Sequence, residues 1–566
     1  MPYDDLRTFM EKLRDESDLL EIDTPVDPKF EVAAYIRKTS DTAGPAVLLK
    51  TIPGYATPIL GGLFAARRRA LWGYGATNED ALHRYVQAFQ NPRKPRLSET
   101  GPSQEVVLTG DQIDVSRFPN PVYSELDAGH YITMGVLVSK DPETGVRNAG
   151  IYRLQVKSKG RLGLFASERQ HVALHLAKAE AQGKPLEVAV AVGTDPTVML
   201  AAAAKPPYGF DEFDLAGGLR SAPLNLIRCR TVNLEVPATS EIVLEGRIPP
   251  KVREMEGPFG EVTGYYGDAA PRPIIELTAI THREEPIYLA GLTGMPTTDN
   301  HILKEVSYNA TYYEELRRAY PEVKGVHFPS AGGTRNIMFI ALKPRYDGEA
   351  RAVLLAAFGL AARPKMVVTV DPDINIHDPE QVLWAIAFRS QPAQDVLIAD
   401  HLPGYALDPS LEKDRLSSSL GIDATTPVDH LFPPIVRSGN EEIIAEGLVE
   451  DKRVLRDESE NLPNPLPTDM VERFPIKIDR SLGRFQQPEH KMKERRLPRA
   501  ALTDDGGELP FANLEADSVE NAPSSQFQRH VLEPDRMKWP VRIRFAVAVG
   551  LESLDRVMLE VFGFED

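Results

Sequence analysis

Three short stretches hold side chains whose types and spacing could do chemistry. In EGPFGE, 256–261, two carboxylates five positions apart frame Gly-Pro-Phe-Gly. A regular strand would put Glu256 and Glu261 on opposite faces, and a helix would set them about 140° apart. Only a turn brings both into one pocket, and Gly257, Pro258 and Gly260 are turn formers. A pair so gathered can divide labour, one acid kept neutral by desolvation and the other ionised beside a cation. The same spacing also fits a surface turn with two solvated acids. In NAGIYR, 148–153, a strand would set Ala149, Ile151 and Arg153 on one face and Asn148, Gly150 and Tyr152 on the other. An arginine on so apolar a face needs a carboxylate partner. Arg153 is therefore a candidate to meet one of the two glutamates and an anionic substrate, or to make a structural ion pair at a sheet rim. The third stretch is the acid pair Asp211–Glu212 in KPPYGFDEFDLAGGL.

His171 and His175 in QHVALH lie four apart and would share a helix face, a metal-capable spacing, but no Glu stands between them and no third ligand is close in sequence. Two partly exposed helix histidines fit the same pattern. The chain has no GxxxxGK[ST] phosphate loop, no GxGxxG after a strand, no GxSxG elbow and no HExxH.

The elements that must position these residues belong to a 566-residue chain, long enough for three or four domains. Lys+Arg number 65 and Asp+Glu 82, a net charge of −17 that disfavours nucleic acid as a partner. The single cysteine, Cys229, excludes an internal disulfide or a Cys-rich metal cluster and fits a reducing, cytoplasmic compartment. The opening MPYDDLRTFM has no secretory signal pattern. No apolar run reaches the roughly 18 residues of a membrane span. The nearest, 186–204, is broken by Glu187, Asp195 and Pro196. These features predict a soluble, multi-domain protein with no membrane partner.

Periodicity predicts a first helix through Leu6, Phe9, Met10 and Leu13, a second over 30–37, a buried strand at 46–50 and a third helix over 78–89. The Pro-rich stretch 91–104 reads as a linker. From 114, β-branched and alternating runs at 131–140, 149–158, 186–193, 226–236, 241–248, 273–282 and 286–292 read as strands, with one helix over 168–181. Many strands and few helices predict a β-barrel or sandwich core. From 313, helices alternate with strands such as MVVTV, 366–370, a continuous apolar run expected of a strand covered on both faces. Residues 483–540 read as extended or partly disordered, and FAVAVGLESLDRVMLEVF as a strand followed by a short helix.

Taken together, the segments resemble the UbiD-type decarboxylases, which include the ferulic acid decarboxylases. The resemblance rests on N-x-G-I-Y-R at 148–153, Gln170–His171, the acid at Glu212 and VPATSEIVLEG at 236–246. It continues through EGPFGEVTGYYGD at 256–268, VDPDINIHDPEQVLWAIAFRSQP at 370–392 and GIDATTP at 421–427. It implies an α+β enzyme with a small N-terminal α/β domain (1–113) and a central split β-barrel of flavin-reductase type (114–312). A C-terminal α/β oligomerisation domain (313–470) and an extended tail (471–566) follow.

The implied cofactor is prenylated FMN, its phosphate bound through a divalent metal, usually Mn²⁺, often with K⁺ nearby. The implied metal ligands are Asn148, His171 and Glu212, with His175 structural. Cofactor contacts carry over to Thr133, Asn148, Ala149, Gly150, Ile151, Tyr152, Arg153, Gln170, His171 and Glu212. The implied catalytic set is Glu256, Arg153 and Glu261. Arg153 orients the substrate carboxylate, Glu256 holds Arg153, and Glu261 protonates the carbon after CO₂ leaves. Asn148 and Arg153 would face opposite sides of a straight strand, so the strand is expected to bulge or end, with Gly150 the natural place.

Lys205 puts a charge near the cofactor phosphate or the pocket entrance, and Thr293 and Asn300 are expected to line the pocket. The resemblance further implies a small carboxylic acid substrate, a flavin prenyltransferase that supplies the cofactor, and a homo-oligomer, dimer or hexamer. Alternative readings are a flavin-reductase-like oxidoreductase, a subunit of a larger carboxylase complex, and a metal hydrolase using His171 and Glu212.

Overall fold

Alternating apolar residues between 131 and 282 build one ten-stranded sheet. Its path runs Tyr131–Ile132, Leu154–Ser158, Arg161–Leu164, Ala270–His282, Ile242–Ile248, Leu186–Val192, Gly135–Lys140 and Arg147–Ile151. The thirteen-residue strand Ala270–His282 also pairs with Arg253–Glu256 and Val106–Thr109. Every pairing in this sheet is antiparallel. The computed structural model describes residues 3–411, 416–429 and 431–436, together with Ile478–Asp479 paired antiparallel to Arg484–Phe485. The chain divides into two units, 1–436 and 437–566, and the fold described is that of the first. Apart from the short strand pair, the expectations for the tail, including its final strand and helix, lie outside the described residues.

The architecture is mixed α+β. Ahead of the large sheet, Leu19–Ile22, Ala46–Leu49 and Ile59–Gly61 form a small sheet whose fourth strand, Tyr288–Ala290, arrives from much later in the chain. The first helix, Leu6–Asp15, buries Leu6, Phe9, Met10 and Leu13. It starts where Asp5 and Thr8 satisfy each other's backbone N–H groups. After the large sheet, the helix Asp299–Ala319 packs on helices Arg67–Trp72, Ala81–Gln90 and Pro196–Ala203 and on the strand Val323–His327. It leads into a five-stranded sheet ordered Val323–His327, Ile337–Leu342, Met366–Val370, Leu416–Ala424, Val396–Pro403. The two faces of that sheet carry separate apolar clusters, so MVVTV is covered on both sides.

Several elements differ from the sequence reading. The stretch 91–104 is not a free linker: Arg96–Ser98 pairs parallel with Asn225–Arg228 in a three-stranded sheet. The run 226–236 is two strands, Asn225–Arg228 and Glu235–Pro237, folded back antiparallel. The helices Pro196–Ala203 and Glu212–Leu219 were not legible. The first lies in an apolar run whose helical period is hidden because seven of its eight residues are buried. Its start is set by Asp195, whose carboxylate accepts from Thr197 N–H (2.8 Å) and Val198 N–H (3.3 Å). The apolar stretch 186–204 is thus a strand followed by a helix. Among the described residues no helix is long and apolar enough to cross a membrane.

Candidate active site

Glu256 ends the strand Arg253–Glu256. Gly257, at φ +89°, then turns the chain through Pro258 into the ribbon of Phe259–Gly260 and Tyr266–Gly267. That backbone region strains any residue with a Cβ, so the turn depends on this glycine. Asp127 anchors the turn by accepting from Gly260 N–H and Ser124 N–H, each at 2.9 Å. The Thr293 hydroxyl donates to Gly260 O.

Arg153 sits in a two-residue break between Arg147–Ile151, which pairs with Gly135–Lys140, and Leu154–Ser158, which pairs with Arg161–Leu164. Of the two expected alternatives, a bulge or an end, the strand takes the second: Gly150 pairs in regular register with Leu137, and the strand ends one residue later, at Ile151. Gly150 serves packing instead. A Cβ there would lie 2.7 Å from the ring of Tyr152, which folds back over it.

The turn and the break bring three charges together. Arg153 clamps Glu256 through two bonds, Nε to Oε1 at 3.0 Å and Nη2 to Oε2 at 2.7 Å, and its Nη1 donates to Glu261 Oε1. The side chain of Glu256 is fully buried, and those of Arg153 and Glu261 are 7% and 11% exposed. The guanidinium also lies over Phe165 (4.2 Å) and Phe259 (5.3 Å). Two glycines leave the carboxylates their space. A Cβ at Gly163 would stand 3.2 Å from Glu256 Cγ, and one at Gly267 3.3 Å from Glu261 Cγ. Phe165, Gly163 and Gly267 were missed in the sequence because their role is a close approach between distant strands, which no local pattern carries.

One guanidinium balances one carboxylate, and Glu256 holds it in the bidentate grip. Ionising Glu261 as well leaves a net negative charge buried. Burial accordingly pushes the Glu261 carboxyl above its ordinary pKa, against the pull of Arg153 and Lys304. Burial alone would weaken the Arg153 charge, but Glu261 and Glu256 outweigh it and hold its pKa above the ordinary value. The cluster is a fixed cation with one neutral-leaning acid, which can orient an anion and give up a proton.

At the other end of the same stretch, Asn148 pairs across the sheet with Ser139. His171 opens the helix His171–Ala181, and Glu212 opens Glu212–Leu219, where Asp211 caps by accepting from Phe213 N–H at 2.9 Å. Their donor atoms converge: His171 Nδ1 is 3.1 Å from Asn148 Oδ1 and 3.8 Å from Glu212 Oε1. Glu212 Oε2 accepts from Ala149 N–H at 2.8 Å. A cavity of about 10 Å³, near the size of one water, lies among Asn148, His171, His175 and Tyr208. The buried Asn148 Nδ2 has no partner there. An amide oxygen and a carboxylate at 3.1 and 3.8 Å from an imidazole nitrogen, with a small cavity against Asn148 and His171 and an orphaned donor beside it, fit a divalent cation carrying an anionic ligand. Two helix N-termini meet at this point, and both favour a phosphate.

Burial raises the Glu212 carboxyl to about 8. Burial, then the charge of Lys205, lowers the His171 imidazole, which is thereby kept neutral for ligation. Lys205 itself is exposed, and its charge is felt by both of these side chains. His175 is apart from the cluster of donors. Its Nδ1 is paired with Ser139 Oγ at 2.9 Å, and burial lowers its pKa to about 4.

Other expected contact residues are placed less directly. The Thr133 hydroxyl donates to Gly291 O (2.7 Å) and meets Tyr123 OH (2.8 Å). Gln170 Oε1 accepts from Ser167 N–H at 2.7 Å. Ile151 pairs with Val136. Asn300 lies in the first turn of the helix Asp299–Ala319.

Comparison with known proteins matches this geometry to one family. Models of three domains of 3-octaprenyl-4-hydroxybenzoate carboxy-lyase fit in order: the N-terminal domain over 10–89, the Rift-related domain over 95–296 and the C-terminal domain over 301–424. An uncharacterized protein of Archaeoglobus fulgidus is 36% identical over 448 residues, 75% of this chain and 92% of that one. The UbiD-class enzyme HmfF from Pelotomaculum thermopropionicum, solved with FMN, is 38% identical with a TM-score of 0.73, over 78% of this chain and 99% of that one. An evolved dimeric form of HmfF, solved with prFMN, superposes with a TM-score of 0.71 at 38% identity, over the same shares of the two chains. Vanillic acid decarboxylase from Sedimentibacter hydroxybenzoicus, in its closed form, is 30% identical with a TM-score of 0.74, over 80% of this chain and all of that one.

With burial raising the Glu212 carboxyl to about 8 and lowering the His171 imidazole, a metal held by this set would displace the Glu212 proton. Titration of the metal-free protein with Mn²⁺ should release close to one proton per chain at pH 7. The release should decline as pH rises through 8 and vanish in Glu212→Gln. Release that does not change with pH would remove Glu212 from the ligand set.

Proposed function

The chain belongs to the UbiD family of carboxy-lyases, and on that premise we propose that it catalyses the reversible, non-oxidative decarboxylation of an aromatic, heteroaromatic or α,β-unsaturated carboxylic acid with prenylated FMN. The observation that carries the reading is the buried cluster of Glu256, Arg153 and Glu261 at one end of 148–153, with Asn148, His171 and Glu212 at the other. Five residues of extended chain span at most about 17 Å, a separation that a flavin mononucleotide can bridge from ring to phosphate. The large antiparallel sheet is read as the split, flavin-reductase-like barrel around it.

When bound, prenylated FMN supplies the electron sink for cleaving the bond to CO₂, which no side chain offers. The protein's part is binding, orientation and proton handling. Asn148, His171 and Glu212 would hold Mn²⁺ at the cofactor phosphate, with K⁺ nearby, and the two helix N-termini would favour that phosphate. Arg153, fixed by Glu256, keeps N–H groups for the substrate carboxylate. Glu261 delivers its proton to the carbon that loses CO₂ and regains one from water. In the carboxylation direction it takes that proton back. A flavin-reductase-like enzyme on the same sheet would have no use for a buried acid beside an arginine already clamped by another acid. We further infer that the chain works in the cytoplasm, that a flavin prenyltransferase supplies the cofactor, and that the chain assembles with copies of itself. Support for self-assembly comes from Leu383, Trp384 and Phe388, exposed on the helix Pro379–Arg389.

Protein co-expressed with a flavin prenyltransferase should carry the mass and absorbance of prenylated FMN and release CO₂ from at least one acid of an aromatic panel, without consuming NAD(P)H. Protein that binds no flavin in the presence of Mn²⁺ would refute the proposal. Phe388→Glu should lower the mass measured by light scattering to that of one chain. An unchanged mass would show that this helix face is not an interface.

A further inference from the structure

A second group of metal-capable side chains lies away from the site just described. Glu305 and Asn309 are one turn apart on the helix Asp299–Ala319. His327 ends the strand Val323–His327, and His377 stands in the loop between the strand Met366–Val370 and the helix Pro379–Arg389. The rings of His327 and His377 are 4.4 Å apart, and His327 Nδ1 is 3.9 Å from Glu305 Oε1. One ligand atom from each of Glu305, His327 and His377 can be chosen so that all lie within 4.8 Å of one another.

We propose that Glu305, His327 and His377 hold a second divalent metal ion of the Zn²⁺ class, independent of Asn148, His171 and Glu212. Two imidazoles and a carboxylate are a regular three-residue set for Zn²⁺, Co²⁺ or Ni²⁺, with remaining positions filled by water. Two features prepare the donors. The side-chain oxygen of Asn309 accepts from Phe328 N–H at 2.9 Å, so its NH₂ faces His327 Nδ1 at 3.3 Å. That orientation keeps Nδ1 unprotonated, its lone pair accepting from Asn309, and an ion at Nδ1 would displace the Asn309 NH₂ from it. Burial keeps the His327 imidazole neutral well below pH 7.

Access is available from outside, because His377 is exposed and a cavity of about 350 Å³ lies against it, lined also by Arg67, Asn309 and Lys324. Arg67 Nη1 donates to Glu305 Oε1 at 2.5 Å. It balances the carboxylate when no metal is present. A bound ion would tie the long helix to the five-stranded sheet through ligands from three separate elements.

Co²⁺ reports such a site by its visible absorption, and the full chain carrying His171→Ala removes the first site from the count. That variant should bind one Co²⁺ per chain, displaced by Zn²⁺, with a metal-dependent rise in Tm. Adding His377→Ala, a change at an exposed loop residue that leaves the metal-free Tm in place, should abolish the absorption and the rise in Tm. No Co²⁺ bound by the His171→Ala chain, or binding unaffected by His377→Ala, would overturn the proposal.

Discussion

A single guanidinium, that of Arg153, stands between two buried carboxylates, and the surrounding structure serves to keep that arrangement. Removing one partner from a buried ion pair costs about 3–5 kcal/mol, because the other charge is left unpaired. Glu256 meets Arg153 in a two-point grip, so the pair orients as well as neutralises. The second acid shares the same guanidinium, and burial favours its neutral form against the pull of Arg153 and Lys304. An acid that leans neutral beside a clamped arginine is the arrangement on which the proposed proton transfer rests.

The fold supplies this by two local irregularities in an otherwise regular sheet. One is the break at Tyr152–Arg153, where the chain changes strand neighbours. The other is the turn at Gly257, held by Asp127. Glycines at 163 and 267 keep the facing strands open for the carboxylates. At the far end of 148–153 the device is different. His171 and Glu212 are each the first residue of a helix, so the proposed metal ligands and two helix dipoles share one point.

Much of the site was legible because it is carried by short, unusual sequences. EGPFGE required a turn if its acids were to meet, and the turn is there. Arg153 on a small apolar stretch required a carboxylate, and it found two. The strand end expected near Gly150 is there, but one residue later, because its place is set by pairing with 136–140, which the local pattern of 148–153 does not carry. The helix bearing Glu212 was hidden because Phe213, Leu215 and Ala216 are buried together with Glu212 itself, which blurs the helical period. The pairing of Arg96–Ser98 with Asn225–Arg228 joins segments about 130 positions apart, beyond the reach of local pattern. The cluster of Glu305, His327 and His377 was likewise invisible, as its members come from a helix, a strand end and a loop.

The central claim is that Glu261 carries the proton that replaces CO₂. It is tested most directly by following, by NMR, the exchange of the product's C–H for deuterium in D₂O on enzyme loaded with flavin. The account predicts exchange in the wild-type chain and a loss of roughly 100-fold or more in Glu261→Gln, with flavin content unchanged. Exchange at the wild-type rate in that variant would contradict it.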